Sequence, residues 1–131
     1  MSHIRRMIQD VKAIRPDFMV FCGYDEYLLD TLLAGGDGGI PATSNFAPEI
    51  TCGIYKAYLA GDLATIQTQL RRLGLLSRMY AMDRPFTGLI KESIRLCGLD
   101  ISTALVAPAS PPSAELIRQT RALLVRAGLI D

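Results

Sequence analysis

Glycine and polar residues follow two short apolar runs, at positions where a substrate could be bound. Gly23 ends the run Phe18–Cys22, and the polar stretch Thr43–Asn45 follows the run Gly38–Ala42. This order predicts a strand, a helix and a second strand, which is one unit of a parallel α/β sheet. Because ligands of such sheets bind at the carboxyl ends of the strands, we expect a site at Gly23 and along Ile40–Asn45. Asn45 could equally bond its own backbone in a turn.

The sequence predicts neither a metal site nor a cofactor site. The single histidine, His3, lies in the first turn of a predicted helix, with no carboxylate or cysteine at ligand spacing. Cys22, Cys52 and Cys97 are odd in number and far apart, so they match neither a disulfide framework nor a zinc spacing. We expect buried, reduced thiols in a cytoplasmic protein.

Six helices are predicted around the two strands. Gly35 is expected to end the second helix in the left-handed conformation, while Ser2, Asp62 and Ser113 are expected to cap helices. The pattern divides the chain into an α/β part, residues 1–60, and a three-helix tail, residues 61–131. The helices are predicted over Ser2–Ile14, Asp25–Ala34, Pro48–Leu59, Leu63–Tyr80 and Phe86–Cys97, and from Ser113 onward.

Composition excludes several classes of partner. The chain has 131 residues, with 14 Lys and Arg against 13 Asp and Glu, so it favours neither nucleic acid nor an anionic membrane surface. No apolar run is long enough to span a bilayer, and the first residues do not resemble a signal peptide. At 50% hydrophobic, the chain is more apolar than a small free-standing domain requires. We therefore expect an apolar partner surface.

Two parallel strands do not make a stable sheet by themselves. Their open edges leave unpaired backbone groups beside apolar faces. The helix that begins near Ser2 also needs a strand before it to complete the alternation. The sequence therefore predicts a piece of a larger assembly, either a homo-oligomer or a complex with an N-terminal half.

Several motifs, in order and at matching spacing, resemble the C-terminal half of the dihydrodipicolinate synthase / N-acetylneuraminate lyase family. The resemblance covers nearly the whole chain and is strongest to the 2-keto-3-deoxy-sugar-acid aldolases of that family. The motifs are Cys22–Glu26, Leu32–Ile40, Asn45–Glu49, Ala60–Leu63, Phe86–Glu92 and Ala107–Pro111.

The resemblance implies an α/β fold, namely the C-terminal portion of a (β/α)8 TIM barrel from helix 6 to helix 8, followed by a three-helix bundle. Members of the family are class I aldolases and lyases, usually tetramers, that form a Schiff base between a lysine and pyruvate or another 2-keto acid. By this resemblance the catalytic lysine, the proton-shuttling tyrosine and the carboxylate-binding loop all lie upstream of Met1. No catalytic residue is therefore expected within the 131 residues.

The three lysines of the chain, Lys12, Lys56 and Lys91, all fall on predicted helices. An amine becomes nucleophilic near neutral pH only when it is desolvated or lies beside another cation. Helix-surface lysines meet neither condition, so we expect structural roles for all three. We therefore expect the chain to be inactive by itself.

Five residues are expected to contact substrate under the resemblance. Gly23 matches a glycine whose backbone faces the substrate, where a side chain would block its approach, with a plain strand terminator as the alternative. Asp25 matches a carboxylate that accepts hydrogen bonds from polyol hydroxyls, although an acidic residue in the first helical turn is also favoured by the helix dipole. Ile40 is expected to line the site, with a core isoleucine as the alternative. Thr43 and Asn45 belong to the loop at its mouth.

Two functional hypotheses remain open on the sequence. In one, the chain is the C-terminal part of an aldolase that cleaves 2-keto-3-deoxy sugar acids to pyruvate and an aldehyde. A dihydrodipicolinate synthase or N-acetylneuraminate lyase type of substrate is the alternative, although Ala42 stands where the sialic-acid branch has a serine. In the other hypothesis, the chain is a non-catalytic, self-associating module.

Overall fold

The computed structural model describes all residues from 1 to 131 and contains six α-helices and two short strands. Three 3-10 turns, at Asp25–Tyr27, Ala42–Asn45 and Ser77–Ala81, connect them. No helix combines the length and apolar character needed to cross a bilayer. The elements are α1 (Ser2–Lys12), β1 (Phe21–Cys22), α2 (Leu28–Leu33), β2 (Gly38–Gly39), α3 (Pro48–Ala60), α4 (Leu63–Leu76), α5 (Thr87–Leu96) and α6 (Ala114–Arg126).

Capping residues explain where several helices begin and end. Asp62 accepts a hydrogen bond from the Thr65 N–H at 3.0 Å, and Ser113 accepts one from the Leu116 N–H at 3.2 Å, as the sequence predicted. Gly35 has φ of +91°, the left-handed conformation expected after α2. The prediction that Ser2 caps α1 is wrong, because Met1 holds the cap position and Ser2 is already helical.

The two strands pair in parallel, with Phe21 opposite Gly38 and Cys22 opposite Gly39. They are shorter than the predicted runs, Phe18–Cys22 and Gly38–Ala42. At the start of the first run, the Val20 N–H donates to the Asp37 side chain at 2.7 Å. At the end of the second, the Ile40 N–H still bonds the Cys22 carbonyl at 2.8 Å, after which the chain enters the turn at Ala42.

One face of this small sheet is covered and the other is open. Cys22 is 2% exposed and belongs to the same buried cluster as Leu28 and Leu32 of α2. Val20, two residues earlier on the same face, is 3% exposed. Because side chains alternate along a strand, Met19 and Phe21 point the opposite way, and they are 64% and 44% exposed. With Gly23 and Ile40 they form a surface that we call the bare face.

A single buried cluster joins the α/β part to the helical tail. Ile50 and Ile54 of α3 pack in the same cluster as Leu73 of α4, Leu89 of α5 and Leu124 of α6, and all five are at most 1% exposed. Residues 1–60 and 61–131 therefore share one hydrophobic core. Helices therefore cover the strands of the α/β part on one face only, and the helices of the tail supply part of the core on that side.

Candidate functional site

Gly23 and Ile40 lie next to each other at the carboxyl ends of β1 and β2, on the bare face. A Cβ atom added to Gly23 would meet no atom within 4 Å, so the backbone there is open to a ligand. Ile40 is 78% exposed, so it is not a core residue within this chain, which was the alternative prediction. These two residues have the exposure that a substrate-facing role requires.

Asp25 and Thr43 are buried and are bonded to each other. Their exposed fractions are 1% and 0%. The Asp25 Oδ1 atom accepts hydrogen bonds from the Thr43 N–H at 3.0 Å and from the Thr43 hydroxyl. This contact joins the chain after β1 to the chain after β2, so it fixes the relative position of the two strand ends. Substrate contact by either side chain stays a prediction.

The rest of the loop after β2 is stabilised by local bonds. The Asn45 side chain donates to the Ala42 carbonyl at 2.9 Å, which is the turn-forming role left open by the sequence. The Ser44 and Thr51 hydroxyls lie 3.0 Å apart and tie the loop to α3. Asn45 is nevertheless exposed, so it is the polar residue of this loop that is most open to solvent.

Two residues of the turn Ser77–Ala81 also contact this region, and no local sequence pattern indicates either contact. The Tyr80 hydroxyl donates to Asp25 Oδ2 at 2.5 Å, and the Ser77 hydroxyl donates to Glu26 at 2.9 Å. The sequence predicts a continuous helix to Tyr80, whereas α4 ends at Leu76 and the chain tightens into a 3-10 turn. The acidic pair Asp25–Glu26 therefore bonds the helical tail.

The pKa of Tyr80 is raised well above its ordinary value. Burial of the phenol is the largest cause, followed by its hydrogen bond to Asp25 and the charge of that carboxylate. A phenolate beside a carboxylate in a partly buried site is disfavoured, so Tyr80 stays a hydrogen-bond donor at neutral pH.

This raised pKa predicts a loss of stability in alkaline solution. A tyrosine ionises near pH 10 in an unfolded chain, whereas folded Tyr80 resists ionisation, so its contribution is complete below about pH 10 and declines above it. We expect the free energy of unfolding of the wild type to fall more steeply above pH 10 than that of Tyr80→Phe. Urea titrations at pH 8, 10 and 11 measure this, and parallel declines of the two proteins would contradict it.

The lysines are placed as the sequence predicted, on helices and away from the strand ends. Lys12 forms an ion pair with Asp37 at 2.7 Å, and this pair, with the Val20 N–H, lowers the pKa of Asp37. The Lys91 ammonium donates to the Ala104 carbonyl at 2.6 Å and so holds the linker against α5. Lys56 is exposed on α3.

No group of three or more His, Cys, Asp and Glu side chains lies close enough together to hold a metal ion. Cys22 is buried, and burial raises the pKa of its thiol. Cys97 is half-buried, and burial likewise raises the pKa of its thiol. The expectation of a buried thiol is wrong for Cys52, which is exposed because its side of α3 lines an open cavity beside β2.

A cavity of about 300 Å³ lies beside the free edge of β2 and extends to the loop that follows this strand. It runs between the strand and α3, and its lining includes Phe21, Gly38, Pro41, Cys52 and Tyr55. The lining is largely apolar and follows the unpaired edge of the strand. The cavity therefore leaves the unpaired edge of β2 accessible.

Comparison with known proteins places this geometry in a family. The model of the dihydrodipicolinate synthetase family matches residues 1–127. The chain belongs to this family.

Two relatives within the family come from Escherichia coli K12. YjhH, named a probable 2-dehydro-3-deoxy-D-pentonate aldolase, is 46% identical over 129 residues, which is 98% of this chain and 43% of YjhH. YagE, named a putative 2-dehydro-3-deoxy-D-gluconate aldolase, is 44% identical over 123 residues, which is 94% of this chain and 41% of YagE. The chain thus spans about two fifths of the length of these family members.

Solved structures of the family share the fold of this chain. The crystal structure of YagE in complex with pyruvate matches 98% of the chain and 43% of YagE, with a TM-score of 0.92 and 43% identity. The dihydrodipicolinate synthase of Thermotoga maritima matches 97% of the chain and 42% of that protein, with a TM-score of 0.86 and 31% identity. These family members are TIM-barrel proteins, and the fold of this chain matches about two fifths of each.

Proposed function

We propose that the chain is the C-terminal part of a class I aldolase that cleaves 2-keto-3-deoxy sugar acids to pyruvate and an aldehyde. The observation that carries the proposal is the similarity to YjhH and YagE over 98% and 94% of the chain, together with the TM-score of 0.92 to the YagE–pyruvate complex. The whole activity requires the part of the family fold that these 131 residues do not include.

The element order supports a specific position in the barrel. We assign α1 as helix 6, β1 and β2 as strands 7 and 8, and α2 and α3 as helices 7 and 8. Parallel strands joined by a helix are the repeating unit of the barrel. The bare face would then point to the barrel interior, and the cavity beside β2 would receive the neighbouring strand that closes the barrel.

In the assembled barrel, the five expected residues take different roles. Gly23 and Ile40 line the substrate cavity, since both are open on the bare face at the catalytic end of the strands. Asn45 lies at the rim. Asp25 and Thr43 hold the wall together, and contact of their oxygens with substrate hydroxyls requires their mutual bonds to rearrange. The Schiff-base lysine comes from the upstream part.

An assembly assay tests the proposal. The chain is co-expressed with the upstream part of YagE or of YjhH, and pyruvate release is measured from 2-dehydro-3-deoxy-D-pentonate and 2-dehydro-3-deoxy-D-gluconate. We expect activity from the pair and none from either part alone. A stable complex that releases no pyruvate from either substrate would contradict the proposal.

The bare face also favours a second candidate, a non-catalytic homo-oligomer. Met19, Phe21 and Ile40 expose apolar surface beside an unpaired strand edge, and such a surface associates with copies of itself when no other partner is present. Sedimentation of the isolated chain distinguishes this candidate, because a folded, monodisperse monomer would exclude it.

A further inference from the structure

Three side chains from distant parts of the sequence meet at the carboxyl ends of the strands. Tyr80, from the turn after α4, donates to Asp25, which follows β1, at 2.5 Å. Asp25 in turn accepts the N–H of Thr43, which follows β2, at 3.0 Å. Asp25 and Thr43 are at most 1% exposed, so water does not compete for these bonds. We call this chain of contacts the tyrosine clamp.

The Tyr80 ring is held on more than one side. Its centroid lies 4.7 Å from that of Phe86 and 6.5 Å from that of Tyr24, the latter in an edge-on arrangement. Aromatic pairs at these separations attract each other beyond their buried area. The Tyr80 hydroxyl is therefore presented to Asp25 by a ring that packs against Phe86 of the helical tail and Tyr24 of the α/β part.

A neighbouring bond joins the same two segments without reaching the loop after β2. The Ser77 hydroxyl donates to Glu26 at 2.9 Å, and no hydrogen bond continues from Glu26 to Thr43. Glu26 is exposed, whereas Asp25 is 1% exposed. The Ser77–Glu26 bond therefore only attaches the tail, whereas the Tyr80–Asp25 bond also acts on the loop after β2.

We propose that Tyr80 is a positioning residue, which fixes the loop Ala42–Asn45 through Asp25 and so sets the wall of the substrate cavity from the helical tail. The catalytic meaning of this role rests on the proposed function. The structural role does not, because all three residues of the clamp lie within the chain.

Hydrogen exchange on the 131-residue chain tests the structural role. Tyr80→Phe removes one hydroxyl and keeps the ring, and Ser77→Ala is the matched control. A hydrogen bond to a charged group contributes enough stability that its loss accelerates local exchange roughly tenfold or more. We expect this acceleration at the Thr43 amide in Tyr80→Phe, with a smaller change at the amides of α4 and with little change at Thr43 in Ser77→Ala.

Two results would overturn the structural role. One is an equal acceleration of Thr43 and of the α4 amides, which would make Tyr80 a general stabiliser. The other is the same effect at Thr43 in both variants. Neither result depends on catalytic activity, so a failure of the structural role can be distinguished from a failure of the proposed function.

The assembled enzyme tests the catalytic consequence. We expect Tyr80→Phe to raise the KM for the sugar acid by about tenfold with kcat within about twofold, since a displaced wall weakens binding before and in the transition state alike. Ser77→Ala should change neither constant. An unchanged KM in Tyr80→Phe, or an equal effect of the two variants, would overturn the positioning role.

Discussion

Incubation of the 131-residue chain with pyruvate and borohydride should leave its mass unchanged. In this reaction a free amine attacks the keto carbon, water is lost, and borohydride reduces the imine to a stable secondary amine. The amine must be unprotonated and close to the carbonyl. The Lys12 ammonium is paired with Asp37, Lys91 donates to a carbonyl, and Lys56 is exposed on a helix.

YagE is the positive control, because its structure holds pyruvate. We expect a single covalent adduct on YagE and on the upstream part within an active complex, but none on this chain. An adduct at one specific lysine of the isolated chain, lost on replacement of that lysine by arginine, would show that the chain carries its own Schiff-base site.

A charge on the bare face should weaken the association of this chain with the upstream part or with a second copy. Met19 is 64% exposed in the isolated chain, so Met19→Asp adds a carboxylate that water solvates and should leave the fold intact. In an assembly that covers the face, the carboxylate would lose its hydration without gaining a partner. We expect the affinity for the upstream part, or for a second copy, to fall on the order of a hundredfold.

Leu63→Asp is the matched control for this experiment. Leu63 is 69% exposed, almost the same as Met19, but it lies at the start of α4. An acidic residue in the first turn of a helix is favoured by the helix dipole, so this change should be neutral. Sedimentation of wild type and both variants compares them, and similar weakening by the two substitutions would show that the bare face is not the interface.

Local sequence patterns predicted much of the fold because short-range interactions determine the elements. Asp62 and Ser113 cap helices whose first turns contain their bonding partners, and Gly35 adopts the conformation that only glycine takes easily. Strand lengths were overestimated because they depend on neighbours. The Val20 N–H bonds the Asp37 side chain, which no pattern within Phe18–Cys22 could indicate.

The candidate site was predicted only in part, for the same reason. Two apolar runs, each followed by glycine or polar residues, predicted that Gly23 and Ile40 lie at the carboxyl ends of the strands, and the strand pairing agrees with this position. Their contact with substrate stays a prediction. The partners of Asp25 could not be inferred, because Thr43 and Tyr80 lie 18 and 55 residues away along the chain. A carboxylate after a strand has the same local sequence whether it binds hydroxyls of a ligand or a distant tyrosine.

The shared core determines where this chain could be joined to the sequence of a relative in a chimera. Leu124 near the C-terminus is buried with Ile50 and Ile54, and Tyr80 is bonded to Asp25. A chimera joined between residues 60 and 61 would pair side chains that had not been matched in volume or hydrogen bonding, at the centre of the molecule. We therefore expect an exchange of sequence between two family members to disturb packing within this chain least when residues 1–131 are exchanged as one segment.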